Sequence, residues 1–529
     1  MNGENLFDAI TNVRDGLVDE AAETQPKKKR VSWQRFGAIA AAVVLAVGIG
    51  AGTLGRLGRP EPPGWGPNAP IGDPADADPG SNSSGGAGHD EGTVFMSYAG
   101  PVFPLTALDG GGGLAVRRET TYDFSGRDGL RWPYKAAVTD RYILENPTGE
   151  DKTVTLLDPF ASSLGDLRDE APALSVDGGA LDAGLLVGGY SGGFQTAPGG
   201  EDAGLLNLKQ LNSWEQYRDL LSDGSYLDGA LGGWPDLSGV PVTVDAFTNY
   251  WGPERDEANG IPNPTIRAEF DLDYSKTTIL AYGFHGASID RDAGHMLQSF
   301  SIPRDFDPEN GNPFYLIVLG EDIQNLTTQG YATGGADTTK TVEAGVDVER
   351  CVTDLDSALR AAAELMYHGN SWWSEWDRAD WPDFELYFGL LKDDLVSYGL
   401  IADDPVERYD TGWLEETDVV WMDRVFYLEF SVTVPAGGSV TVEAAQAKEA
   451  SFDFFCGHTE NESVCGYDLV TRLGSGLDFA AQTARTAGTE GLEIVRQNFG
   501  FDWKNGVNTV TLDQNEEHYY LAGRKSGKN

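Results

Sequence analysis

The longest apolar stretch of the chain runs from Phe36 to Leu54, nineteen residues without a charge. A helix of this length measures about 28 Å, which matches the roughly 30 Å hydrocarbon core of a bilayer. The pattern therefore predicts one transmembrane helix at 36–54, with a short head before it and a long region after it.

Basic residues flank this stretch unequally. Those that precede it are Lys27, Lys28, Lys29, Arg30 and Arg35, and those that follow are Arg56 and Arg59. Since basic residues concentrate on the cytoplasmic side, the head is predicted to be cytoplasmic and the bulk of the chain extracellular. The alternative is a cleaved signal peptide, because small residues end the stretch. The long head and the lack of an A-x-A site favour an uncleaved, single-pass anchor in the cell membrane.

Apolar residues recur every three or four positions in the head, residues 1–35, which indicates an amphipathic helix. Its apolar face consists of Leu6, Phe7, Ile10, Val13 and Leu17. Because so short a helix is marginally stable alone in water, this face needs a partner, either a cytoplasmic protein or the membrane surface. The helix is net acidic, which suits an anionic leaflet poorly and favours the protein.

Beyond the anchor, residues 57–93 are rich in Pro, Gly, Ser and Asp and are predicted to be a disordered linker. Short alternating stretches then predict a mainly β (α+β) fold, a β-sandwich-like extracytoplasmic region with helical insertions. Its predicted parts are a β-rich domain at 94–205, a helical connection at 206–239, a second β-rich unit at 240–345, a helical Trp-rich segment at 346–421 and a β-rich C-terminal part at 422–529. The last part is expected to complete the first sandwich.

Turn and cap residues predict individual elements. Hairpins are expected over 141–160, turning at Pro147–Gly149, and over 175–188, turning at Asp177–Gly178. The strands predicted in the second β-rich unit are 240–247, 265–273, 277–284, 296–302 and 314–320. The predicted helices are 213–222, 354–368 (capped by Thr353) and 383–398.

The net charge is −45, and the excess of acidic residues lies after the anchor. A surface of this charge repels nucleic acid and anionic lipid, so no nucleic-acid partner is predicted. Solubility explains the charge better than Ca²⁺ binding. Hydrophobic residues make up 40% of the chain, which is enough for packed cores.

No motif predicts catalysis, a metal site or a cofactor. Residues 189–193 fit the G-x-S-x-G pattern, but the helix that a nucleophile elbow requires does not follow them. The oxygen-rich stretch 305–312 has its glycine out of place for an EF-hand loop and indicates a turn. Cys456 and Cys465 are close enough for a local disulfide, which leaves Cys351 over.

Aromatic residues are densest between positions 372 and 421. The candidate ligand-binding residues there are Trp372, Trp373, Trp376 and Trp381. Exposed indole rings would stack on sugars beside nearby carboxylates and bind a glycan or another envelope ligand. Buried, the same rings would form the core that joins the helices to the sandwich, and this interpretation is favoured.

The head MNGENLFDAITNVRDGLVDEAAE, followed by KKKRVSWQRFGAIAAAVVLAVGIG, resembles the N-terminus of uncharacterised single-pass surface proteins of clostridia-like Gram-positive bacteria. Segments such as NPTIRAEFDLDYSKTTILAYGF and PFYLIVLGEDIQNLTTQGYATGG are similar to parts of those proteins as well. The layout resembles that of anti-sigma factors with sensor ectodomains, which implies a sigma factor or similar regulator as the cytoplasmic partner. Residues 1–35 contain no Cys or His, unlike a zinc-type anti-sigma domain.

These observations lead to one functional expectation with two alternatives. We expect a non-enzymatic, membrane-anchored protein that binds or senses something outside the cell and that relays to a cytoplasmic regulator through its head. A surface carbohydrate-binding protein or hydrolase that uses the Trp-rich segment is the first alternative. A purely structural envelope protein is the second.

Overall fold

A computed structural model describes most of the chain from residue 97 onward. The described residues are 31–32, 97–108, 110–125, 135–190, 225–302, 313–334, 339–374, 376–402, 411–417, 419–453 and 463–526. Strands dominate them, so the mainly β class is confirmed. No helix within these ranges has the length and apolar character that crossing a membrane requires. The predicted anchor at 36–54 and linker at 57–93 lie outside the described residues.

Three sheets contain strands from both ends of the described chain. Sheet I has the order β25-β23-β4-β5-β20-β7-β8, sheet II the order β1-β9-β19-β6-β3 and sheet III the order β2-β21-β22-β26-β24. The strands of sheet I are β4 (Ala115–Asp123), β5 (Lys135–Glu145), β7 (Ala173–Val176), β8 (Gly179–Ala180), β20 (Ser439–Glu449), β23 (Asp478–Ala487) and β25 (Thr509–Thr511). Those of sheet II are β1 (Val31–Ser32), β3 (Thr106–Ala107), β6 (Lys152–Ser162), β9 (Gly184–Tyr190) and β19 (Arg424–Val434). Those of sheet III are β2 (Ser97–Tyr98), β21 (Phe452–Asp453), β22 (Cys465–Val470), β24 (Leu492–Gln497) and β26 (His518–Lys525).

The predicted hairpin over 141–160 is wrong. β5 pairs with β4 and β20 in sheet I, whereas β6 pairs with β19 and β3 in sheet II. The Pro147–Gly149 turn therefore passes from one sheet to the other. The reason lies in β6, which is buried on both faces from Leu156 onward and so occupies an interior layer rather than the solvated partner position of a hairpin.

The turn that links β19 to β20 also passes from one sheet to the other, from sheet II to sheet I, and it lies next to the Pro147–Gly149 turn. β19 pairs with β6 over eleven residues and β20 with β5 over eleven. Two backbone hydrogen bonds join the neighbouring turns, from Asn146 N to Gly438 O and from Gly437 N to Thr148 O. The amide of buried Asn146 also donates to Val434 O at 3.0 Å. Strands of 94–205 and 422–525 thus share sheets, while the domain boundaries themselves stay a prediction.

The turn at Asp177–Gly178 forms as expected. It joins β7 to β8, and both central residues have positive φ, 50° for Asp177 and 79° for Gly178. Positive φ at both positions defines the type I′ turn that matches strand twist, which explains the Asp-Gly pair. The end of the predicted hairpin differs, because β9 continues into sheet II.

Sheet II lies between other layers. One hydrophobic cluster contains inward residues of sheets I and II, a second contains residues of sheets II and III, and a third contains residues of sheets I and III. Representative members are Leu144 and Leu156 in the first, Tyr427 and Val470 in the second, and Tyr122 and Tyr467 in the third. This arrangement explains why β6 and β19 carry apolar side chains on both faces.

Two further sheets, IV and V, face each other across a fourth hydrophobic cluster. Sheet IV has the order β17-β10-β15-β12-β18 and sheet V the order β13-β14-β11-β16. The strands of sheet IV are β10 (Pro241–Trp251), β12 (Thr277–Tyr282), β15 (Phe314–Gly320), β17 (Gly345–Asp354) and β18 (Thr411–Trp413). Those of sheet V are β11 (Thr265–Asp271), β13 (Gly286–Asp290), β14 (His295–Ser301) and β16 (Gln324–Tyr331). Phe247, Phe270, Phe300 and Leu316 are fully buried between them.

The described part also contains four α-helices: α1 (Leu167–Glu170), α2 (Ser225–Leu231), α3 (Leu355–Gly369) and α4 (Phe384–Ser397). α3 and α4 occur where helices are predicted and pack with the outer face of sheet IV. The cap of α3 is Asp354 rather than Thr353, because the Asp354 carboxylate accepts from Ser357 N at 2.9 Å. The predicted helix at 213–222 lies outside the described residues.

Candidate binding surface

Exposed apolar side chains concentrate on two neighbouring strands. Of the six large apolar side chains that are exposed in the described part, Trp251, Val348 and Val352 lie on β10 and β17. Val352 is the most exposed of the six, at 73%. Val348 and Val352 project from one face of β17, whereas Trp251, which pairs with Gly345, projects from the other face. We call the exposed edge of sheet IV that these side chains border the β10–β17 surface.

β17 is the edge strand of sheet IV. It pairs with β10 from Asp354 opposite Pro241 to Gly345 opposite Trp251, and no other described strand pairs with its far side. An edge of this kind presents backbone N–H and C=O groups to solvent. Its side chains alternate, so that Val348, Arg350 and Val352 project from one face.

Arg350 is held down on the sheet. Its Nε and Nη2 each donate to the carboxylate of Asp245 at 2.7 Å, and Nη1 donates to Asp322 at 2.9 Å. Asp245 is buried at 1% exposure, so this bidentate pair fixes the guanidinium against the centre of the strand. The one cation of β17 is therefore neutralised locally.

Cys351, on the opposite face of β17, is a half-buried free thiol. Burial first, and then the charge of Asp245, raises the pKa of the thiol above its ordinary value. Since the thiolate is the nucleophilic form, this cysteine is poorly suited to covalent chemistry.

A bulge in β10 re-aims the end of the strand. The pairing register shifts between Thr248 and Trp251, and Asn249 has a φ of 48°. The amide of Asn249 donates to the Asp347 carboxylate at 2.9 Å. Bulges bend a strand and redirect its side chains, and here Trp251 is left 50% exposed.

Trp251 rests against Gly345 of the neighbouring strand. A Cβ atom on Gly345 would lie 2.8 Å from Trp251 Nε1 and 3.0 Å from Cε2. Only glycine therefore lets the indole lie this close to the backbone of β17. The ring has one side on the backbone and another toward solvent.

The tryptophans singled out from sequence occupy a different place. Trp373 is fully buried, and its Nε1 donates to Tyr367 O at 3.0 Å. Trp372 donates to Gly165 O at 3.2 Å and packs edge-on against Trp421 at 4.4 Å between ring centroids. Trp373 is thus core, and a ligand has no access to its ring in this arrangement.

Trp376 and Trp381 are half-buried at the margin of the same cluster. The Arg168 guanidinium lies 5.1 Å from the centroid of the Trp376 ring, and Trp381 Nε1 donates to Trp376 O at 3.3 Å. These contacts favour the core interpretation. The stretch that is rich in aromatic residues therefore belongs to the core, whereas the exposed Trp251 lies outside this stretch.

Buried charges form a cluster where sheets I and II meet α1. Burial raises the pKa of Glu170 to about 7 and that of Asp423 to about 8, and burial lowers the pKa of Lys448. Lys135 donates to Glu170 at 2.8 Å, and Lys448 donates to the Ala99 carbonyl at 2.8 Å. Perturbed groups often mark active sites, yet these bonds tie the two lysines to protein atoms, as in a structural network.

The remaining candidate residues cannot be placed together. The head residues Leu6, Phe7, Ile10, Val13 and Leu17 lie outside the described residues, and so does Cys456. Cys465 is buried at the start of β22. The disulfide and the partner-binding head stay predictions.

No protein-family model matches this sequence, and no curated protein matches it either.

Proposed function

We propose that this chain is a non-enzymatic, membrane-anchored protein that binds a partner outside the cell at the β10–β17 surface. The observation that carries the proposal is the concentration of exposed apolar side chains on the open edge of a ten-residue strand. The uncharged stretch 36–54 and its basic flank support the anchor.

The physics of an open edge supports a binding role. Proteins usually protect such edges with charge, because unpaired backbone groups invite another chain. On the face of β17 that carries Val348 and Val352, the guanidinium of Arg350 is engaged by Asp245 and Asp322, and Val352 is exposed. The carboxylates of Asp347 and Glu349 lie on the other face. A partner that lies along the edge can bond the backbone and contact alternate side chains.

Relay to the cytoplasm is the second half of the proposal. The apolar face of the head, from Leu6 to Leu17, fits a groove on a regulator such as a sigma factor. Affinity capture from producing cells, with the full chain and with a chain lacking residues 2–24, tests this half. This half is contradicted if both chains capture the same cytoplasmic protein, or if neither chain captures one.

Site-specific photo-crosslinking tests the binding surface. The photoreactive residue p-benzoylphenylalanine replaces Val352 in the full chain, in cells that produce the protein, and a control chain carries it in place of Val507. Val507 is also apolar and exposed, at 41%, but lies between β24 and β25. We expect adducts that form from position 352 and not from 507. Identical adducts from both positions, or none from 352, would exclude this surface.

A further inference from the structure

We infer that the β10–β17 surface binds a neutral sugar ring of a glycan, seated on Trp251. The inference rests on the proposed function and names the class of ligand for one part of this surface, the face that carries Trp251 and lies opposite to Val348 and Val352. Three observations carry it: the placement of the indole, the polar pair beside it and the charge around it.

The indole of Trp251 has the placement of a stacking platform. Gly345 supports one side of the ring, and half of the side chain remains exposed. The face of an aromatic ring is electron-rich, so it attracts the weakly positive C–H bonds on the flat side of a pyranose. Support from the backbone keeps the ring in position before the ligand arrives, which lowers the entropy lost on binding.

Hydrogen-bonding groups lie two residues along β17 from Gly345. Gly345 and Asp347 point to the same face of β17, so the Asp347 carboxylate stands on the side that carries the indole. Asn249 donates to this carboxylate at 2.9 Å, and both side chains are solvent-facing. An amide and a carboxylate together offer donors and acceptors, which suits hydroxyl groups that both donate and accept.

The charge of the surface narrows the class of sugar. Asp347 is exposed and Glu349 half-exposed on this face, and the whole chain carries a net charge of −45. These charges repel uronic acids and phosphorylated sugars. A neutral pentose or hexose, or an N-acetylated amino sugar, carries no charge and meets no such repulsion.

The backbone at the bulge is strained in a way that serves the site. Asn249 has a φ of 48°, in the left-handed region that costs free energy for most residues and that Asn tolerates best after Gly. Strained residues of this kind cluster at functional sites. Here the bulge turns Trp251 outward and brings the Asn249 amide to Asp347.

The test is retention of the full chain, in lipid nanodiscs, on insoluble cellulose, xylan, mannan and chitin, with crosslinked polygalacturonate as an acidic control. We expect retention on at least one neutral polysaccharide and none on polygalacturonate. Trp251→Ala should weaken binding about tenfold, the size of one good aromatic contact. Trp251→Phe should retain part of it, and Val507→Ala should change nothing.

Asn249→Gly is a second variant that keeps the fold, because glycine adopts the same φ without strain. It removes the amide and should weaken binding several-fold, with the thermal midpoint unchanged or raised. Equal retention of Trp251→Ala and the natural chain overturns the inference, as does lack of retention on all four neutral polysaccharides. So does binding to phosphatidylglycerol vesicles that Trp251→Ala abolishes, since Trp251 would then contact lipid. A protein adduct from position 352 without glycan retention overturns this inference alone and leaves the proposed function standing.

Discussion

Arg118 and Asp140 form a fully buried bidentate pair, with Nε 2.9 Å from Oδ1 and Nη2 2.6 Å from Oδ2. Arg118 projects from β4 and also donates to Val470 O at 2.6 Å and to Phe103 O at 3.0 Å. Tyr142 donates to the same carboxylate at 2.6 Å. One guanidinium thus ties sheet I to sheet III at the place where three hydrophobic clusters meet.

Removal of Arg118 alone should be costly. In Arg118→Ala the Asp140 charge stays buried without its partner, and such losses cost about 3–5 kcal/mol. We expect a clear fall in the thermal midpoint of the full chain, followed by circular dichroism. The double variant Arg118→Met/Asp140→Leu should recover much of the loss, because it leaves no unpaired charge. A double variant as unstable as the single one would show that the bonds to the backbone, rather than the pair, hold the sheets together.

Asp158 should make the protein less stable as pH rises. Burial, together with the nearby charge of Asp140, raises the pKa of Asp158 from 3.8 to about 8. The folded state therefore binds the proton more tightly than the unfolded state, and stability falls between about pH 4 and pH 8, by up to about 1.4 kcal/mol per pH unit for one group.

The variant Asp158→Asn keeps the shape of the side chain and removes the charge. We expect its denaturant midpoint to be higher than that of the natural chain at pH 8 and similar at pH 4. The control Asp292→Asn changes an exposed carboxylate and should leave the difference between the two pH values as it is. If Asp158→Asn leaves the pH dependence of the denaturant midpoint unaltered, that dependence belongs to Glu170 and Asp423 instead.

Gly389 in α4 should not tolerate alanine. Alanine normally stabilises a helix interior relative to glycine by about 1 kcal/mol. A Cβ at Gly389, however, would lie 2.2 Å from two atoms of the Trp234 ring, and overpacking of this kind typically costs about 1–3 kcal/mol. Gly229→Ala in α2 is the matched control, because nothing lies within 4 Å of its Cβ. Thermal midpoints should fall for Gly389→Ala and hold or rise for Gly229→Ala; the same shift in both would mean that Trp234 moves aside freely.

The side of the membrane on which the head lies is open to a direct test. The sequence pattern predicts that residues 1–35 lie in the cytoplasm, whereas the backbone of Val31–Ser32 pairs with Leu185 and Gly184 of β9. A spanning helix at 36–54 excludes this pairing. We expect an N-terminal epitope tag to be protected when protease is added to intact cells and to be cut after permeabilisation. Cutting in intact cells would place the head beside β9 and contradict the anchor.

Local pattern predicted the strands well but not their partners. Five strands of sheets IV and V (β10, β11, β12, β14 and β15) and the helices α3 and α4 occur where alternation, caps and turns predict them. The strands β13, β16, β17 and β18 were not predicted, and β17 and β18 lie in the segment that was predicted to be helical. The hairpin at Pro147–Gly149 fails because a turn of this composition serves equally between paired strands and between layers. The uninterrupted burial of β6 from Leu156 onward shows that this strand lies in an interior layer. The run LLDPFA was the sequence signal for such a strand.

The binding surface was predictable only in part. Aromatic density drew attention to Trp373, which is core, because density reports packing rather than exposure. Trp251 points outward owing to the register shift after Thr248 and the positive φ of Asn249, and neither follows from alternation of residue types. The Asn at position 249 is the signal that could have suggested the bulge.

The two turns that the hydrogen bond between Asn146 and Gly438 joins have a consequence for biosynthesis. β5 and β6 find their partners β20 and β19 almost three hundred positions later, so sheets I and II cannot close until the last quarter of the chain has been made. Residues 241–354 contain every strand of sheets IV and V except the edge strand β18, so these two sheets can form first. In the proposed extracellular location, the earliest β strands therefore have unpaired edges until the later strands arrive, and a chaperone outside the membrane would protect them during that interval.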